Sequence, residues 1–151
     1  MKKLIVVLMV IGLAGCATAP TKTPTGCEQS LVWQSGFMPQ GQELVELAFA
    51  ALLTAEPGLM PQVKTGAMKG WHLVQDGTLK GAVAELLTIL NNHPQYEPLA
   101  LFALERLDLE KSLDSCDQAV LLDMFHNIAR YAGAKEQDFS SNLAKLDSPR
   151  Q

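Results

Sequence analysis

The sequence predicts an all-α protein, either a small helical bundle or a short array of helical hairpins. Three observations point there. Apolar residues recur at helical spacing, most cleanly Leu79, Val83, Leu86 and Leu90, at i, i+4, i+7 and i+11. Strong breakers, Pro57-Gly58, Asp76-Gly77 and His93-Pro94, fall at intervals that leave room for helices between them. No window alternates apolar and polar residues strongly enough for a strand. With 48% hydrophobic residues among 151, the chain can bury one real core.

Taken in order, residues 27–40 carry Leu31, Val32, Trp33, Phe37 and Met38, and predict a short helix and a turn ended by Pro39 and Gly41. Residues 41–56 are apolar almost all round, through Leu44, Val45, Leu47, Ala48, Phe49, Leu52 and Leu53, which predicts a central buried helix. Pro57-Gly58 stops it. Residues 62–75 place Val63, Ala67, Trp71 and Val74 at helical spacing, weakened by Gly66 and Gly70. After the Asp76-Gly77 turn, residues 78–92 hold the clean stripe, and Asn91-Asn92-His93-Pro94 ends it. Pro98 suits a helix first turn, and Leu99, Phe102, Ala103 and Leu107 follow it. Ser115-Cys116-Asp117-Gln118 reads as a capping box opening a helix that runs to Tyr131-Ala132, with Gly133 as its C-terminal cap. Residues 135–146 predict a short weak helix on Phe139, Leu143 and Leu146, and 147–151 a polar tail. Residues 27–146 thus form a single domain.

The N-terminus is of another kind. Lys2 and Lys3 precede an apolar run from Leu4 to Ala14, eleven residues long. At about 1.5 Å per residue this run is too short to span a hydrocarbon core of about 30 Å. It ends in Leu13-Ala14-Gly15-Cys16. That tetrapeptide resembles the lipobox of bacterial lipoproteins. The resemblance implies that residues 1–15 are a signal peptide and that cleavage falls between Gly15 and Cys16. It also implies a diacylglycerol on the Cys16 sulfur and an acyl group on the new amino terminus. The covalent lipid is then the only prosthetic group expected. The competing reading is an ordinary signal peptide followed by a chance cysteine. Ala17, where enterobacterial sorting would read an Asp as retention, implies the periplasmic face of the outer membrane. Residues 16–26, the lipidated cysteine and then Ala-Thr-Ala-Pro-Thr-Lys-Thr-Pro-Thr-Gly, read as a tether too poor in apolar side chains to order itself.

Processing changes the counts. The chain has 12 Lys and Arg against 16 Asp and Glu; losing Lys2 and Lys3 leaves 10 against 16, a formal charge of −6. Nucleic acid and anionic lipid surfaces are poor electrostatic partners for such a domain. With Cys16 assigned to lipid, Cys27 and Cys116 remain, in an oxidising compartment where one intramolecular disulfide is expected. Two free thiols or an intermolecular bridge are the alternatives. On helix 115–132, Asp123, His126, Asn127 and Arg130 share one side, and Leu121, Met124, Phe125, Ile128 and Ala132 the other. Cys116 falls near the polar side, so a Cys27–Cys116 bond would clip the N-terminal segment across the outside of the domain.

Residues 63–96 also resemble one degenerate tetratricopeptide repeat. Gly70, Leu73, Ala82, Leu86 and Pro94 fall at that motif's offsets, while Gly66 and Lys69 replace its first tryptophan and leucine. A shift of about 34 residues aligns Ala48, Ala82 and Cys116, and also Leu52, Leu86 and Val120.

Catalytic signatures are missing from the sequence. It contains no Gly-x-Ser-x-Gly elbow, no glycine-rich phosphate loop and no Cys-x-x-Cys-His haem site. His72, His93 and His126 share no ligand spacing, and two isolated cysteines do not make a zinc site, so no metal is expected. Asp123, one turn before His126, could form an acid–base pair or metal half-site with it, against the plainer reading of a solvated helix face. Trp33, Phe37, Met38 and Trp71 are candidates for a partner-binding surface, aromatic and Met residues being enriched in interface cores, against the plainer reading that they fill the core. The expected function is a lipid-anchored scaffold or binding protein that assists another envelope protein, in the manner of the pilotins, which it resembles only in anchor, size and helix content. The alternatives are an envelope hydrolase acting on peptidoglycan or peptide, and a passive structural lipoprotein.

Overall fold

The structure is a computed structural model and describes residues 22–38 and 40–139. The described residues are helical, without strands, and carry one disulfide, Cys27–Cys116. The helices are α1 (Leu31–Gln34), α2 (Gln40–Ala55), α3 (Met60–Gln75), α4 (Leu79–Leu90), α5 (Glu97–Leu104) and α6 (Ser115–Tyr131), with a 3-10 turn at Pro57–Leu59. No single helix among them is long and apolar enough to cross a membrane.

Local chemistry explains most boundaries. Pro57 starts the 3-10 turn, and the chain bends by 115° between Gln40–Ala55 and Pro57–Gln75. Gly77, at φ +78°, ends α3: its N–H donates to Val74 O and the Thr78 N–H to Leu73 O. Gly133, at φ +84°, does the same for α6 through Arg130 O and Ala129 O. Both are Schellman caps, which need the left-handed conformation that glycine adopts without steric cost. At the start of α6 the cap lies one residue earlier than the Ser115 pattern predicts. Asp114 is the N-cap, its carboxylate accepting from Asp117 N at 2.8 Å, and Asp117 returns the bond to Asp114 N at 3.2 Å. Aspartate caps as well as serine, and its carboxylate also suits the positive end of the helix dipole.

Antiparallel α3 and α4 form a hairpin, seen in Gly66 against Ile89 and Lys69 against Glu85. The other face of α3 packs on α6. Helix α2 runs parallel to α6, pairing Gln42 with Asp123 and Glu46 with Asn127, and it also packs on α5. His93–Glu56 joins the start of α5 to the end of α2, and Arg106–Gly36 joins the end of α5 to the start of α2, so those two helices are antiparallel. Helix α2 packs on α5 and α6 rather than on its sequence neighbour α3. In a repeat array each unit contacts only its neighbours; here the contacts close a bundle.

The core centres on Phe49, Leu52, Leu86, Leu121, Met124, Phe125 and Ile128, all fully buried. The Leu79–Val83–Leu86–Leu90 stripe faces it as predicted. Phe102 does not: it is 57% exposed, while Ala100, Ala103 and Leu104 turn α5 inward. Phe102 instead lies under the Arg106 guanidinium, 4.5 Å from its ring centre. Residues 136–139 form one helical turn that buries Phe139; Leu143, Leu146 and the tail lie outside the described residues.

Candidate functional site

The most elaborate constellation is the place where the N-terminal segment meets the bundle. Residues 22–26 are exposed, and Cys27 follows as the first half-buried position. Its sulfur is bonded to Cys116 on the first turn of α6, with the two Cα atoms 5.7 Å apart. Next to Cys116, Asp117 is only 2% exposed. Its Oδ1 accepts the Val32 N–H at 2.9 Å, and its Oδ2 closes the capping box. One carboxylate thus fixes α1 and caps α6 at once. Beyond α1, Gly36 turns the chain at φ +71°, and its carbonyl accepts Arg106 Nη1 at 2.9 Å.

Between these fixings Leu31, Val32 and Phe37 enter the core. The disulfide therefore sits at the edge of the domain, as the helix geometry predicts, but the segment after it is more than an outer strap. Ser30 Oγ and Trp33 Nε1, on the same segment, are buried with no hydrogen-bond partner among the described residues.

The four residues predicted as a partner surface do not come together. Phe37 is fully buried and belongs to the core. Met38 and Trp33 are half-buried against it. Trp71 is half-buried elsewhere, its ring edge-on to Phe139 at 5.4 Å, with His126 on Phe139 at 4.3 Å. Trp33 lies beside Val32, at the level of Asp117, and Trp71 near that of His126, about 13 Å further along α6 at 1.5 Å per residue. Leu31 and Val32 enter the core from α1, and after the turn at Gly36 Phe37 enters it as well, while Trp71 sits on another helix.

The histidines are also dispersed. His72 lies against Trp71, ring centres 5.1 Å apart, and His93 Nδ1 is 3.1 Å from Glu56 Oε1. His126 Nε2 pairs with Glu136 at 3.2 Å, not with Asp123. The Asp123 carboxylate instead accepts from Gln42 and Asn127, because α2 lies alongside this face of α6. On this face Asp123 and Arg130 are exposed, and His126 and Asn127 are half-buried. Among the described residues no group of three or more His, Cys, Asp or Glu side chains is placed to hold a metal ion. Cys16 lies outside the described residues.

Asp117 and Arg106 make the long-range bonds at this junction that sequence reasoning missed. Asp117 was visible as part of a capping pattern, but nothing local marks its bond to a residue 85 positions away. Comparison with known protein families, curated proteins and solved structures finds no match to this chain.

Proposed function

We propose that this chain is an envelope lipoprotein, held by lipid on Cys16 at the periplasmic face of the outer membrane, whose helical domain binds and assists another envelope protein. The observation that carries the reading is Leu13-Ala14-Gly15-Cys16 at the end of a short apolar run behind Lys2-Lys3. The Cys27–Cys116 bond supports export, since disulfides persist in oxidising compartments. The spacing supports anchoring. Ten residues lie between Cys16 and Cys27, a reach of at most about 40 Å, which keeps the domain close to the bilayer without requiring it to touch. The acidic mature domain is suited to that: its charge does not draw it onto an anionic lipid surface.

Cys16→Ser tests the anchor. The variant should lose acylation, retain an altered N-terminus and leave the membrane fraction; unchanged processing and membrane association would end the lipoprotein reading. Crosslinking of the native protein in its envelope, with identification of captured proteins, tests the scaffold reading. A reproducible lack of any specific partner counts against it.

A further inference from the structure

We propose that the Cys27–Cys116 bond transfers the domain's mechanical attachment from α1 to α6, so that pull on the tether bypasses the segment it would otherwise peel away. The idea takes its source of tension from the reading of Cys16 as the anchor; the mechanical claim stands on the described residues alone.

Pull applied before Cys27 has two routes into the fold. The backbone route enters α1 first. That helix is four residues long, and the segment around it is held by the Val32–Asp117 bond, the Arg106–Gly36 bond and the burial of Leu31, Val32 and Phe37. These contacts lie in series along the chain and would be loaded one after another, the geometry of a zipper. The disulfide route leaves Cys27 directly for Cys116. Being covalent and far shorter, it takes the tension before the backbone between the two cysteines is drawn taut. It delivers that tension to the first turn of α6, a seventeen-residue helix packed on both α2 and α3. Helices α1 to α5 all lie inside the covalent loop, off the force path. Asp117, one residue beyond the attachment point, then holds α1 in place without carrying load.

The test is single-molecule pulling of the full chain, with handles fused at its two ends, in oxidising buffer and then with reductant added to the same folded molecule. Reduced chains should show an early step of about 40 Å, the length of residues 27–38, at lower force than any event in the oxidised chain. Full unfolding should also gain about 300 Å when the loop of 89 residues is opened. The oxidised chain should lack the early step. Reduced chains that unfold in one event with no early step, or oxidised chains that show it, would overturn the proposal. The double variant Cys27→Ser with Cys116→Ser, verified as folded by its far-ultraviolet helix signal, should repeat the reduced trace. Cys16→Ser fractionation reads the anchor separately, so loss of the lipoprotein reading and loss of this mechanism give different results.

Discussion

Asp117 Oδ1 accepts the backbone N–H of Val32 at 2.9 Å, joining two residues 85 positions apart in sequence, with Asp117 the residue next to disulfide-bonded Cys116. A buried carboxylate that accepts from two separate backbone donors is well satisfied, and each donor depends on it. Asp117→Ala strands the buried Val32 N–H and removes half of the capping box. The expected loss is about 2–4 kcal/mol, from the cost of an unsatisfied buried donor and of a lost cap. Asp117→Asn keeps one acceptor and should lose about 1 kcal/mol. Urea midpoints of the two variants check the order.

Breaking the disulfide should lower stability by somewhat over 4 kcal/mol, because the freed loop of 89 residues returns its closure entropy to the unfolded chain. Urea unfolding with and without reductant measures this. A loss near zero would mean that the unfolded chain is already restricted without the bond.

Gly70 faces the ring of Phe125, and a Cβ built there would overlap the ring atoms Cε1 and Cδ1. Helix propensity alone predicts that Gly70→Ala stabilises α3 by about 1 kcal/mol. Packing predicts the opposite, a loss of about 1–3 kcal/mol, because Phe125 is fully buried and has nowhere to move. Packing should win. Thermal unfolding of Gly70→Ala decides the sign, and Phe125→Leu in the same chain should recover part of the loss.

The backbone N–H of Lys135, and then the Lys64 ammonium, hold the Asp138 carboxyl below its ordinary pKa of 3.8. A depressed carboxylate contributes stability that is complete above the ordinary value and is lost as pH falls through the lower folded value. The helical turn at 136–139 should therefore loosen below about pH 4, drawing Phe139 away from Trp71. Trp71 fluorescence in a Trp33→Phe background reports this. Asp138→Asn should flatten the acid limb, while a limb unchanged by that substitution would assign it to other carboxylates.

Much of the fold was legible in residue order. The apolar stripe Leu79–Val83–Leu86–Leu90 marked the buried face of α4, and Gly77 and Gly133 marked helix ends, because both signals act within one or two turns of chain. The cysteine count marked the disulfide once Cys16 was assigned to lipid. The junction was less legible. Asp117 was legible as part of a cap but its bond to Val32 was not, and Phe37 stood open between partner surface and core; both were settled by neighbours remote in sequence.

The sequence by itself therefore pointed to an all-α fold, to the limits of the helices at 40–55, 60–75, 79–90 and 115–131 within about two residues, and to Cys27 and Cys116 as the expected pair. Those properties follow from periodicity, local hydrogen bonds and the small number of thiols. Only the tertiary structure decided that Gly66 and Gly70 are close-contact positions and not weak points of a helix, since their value depends on Ile89 and Phe125 arriving from α4 and α6. It alone showed that His126 pairs with Glu136 while Asp123 is taken by α2. Burial and partnership are properties of helices meeting, and the side chain that meets a given residue is set by packing that no local pattern records.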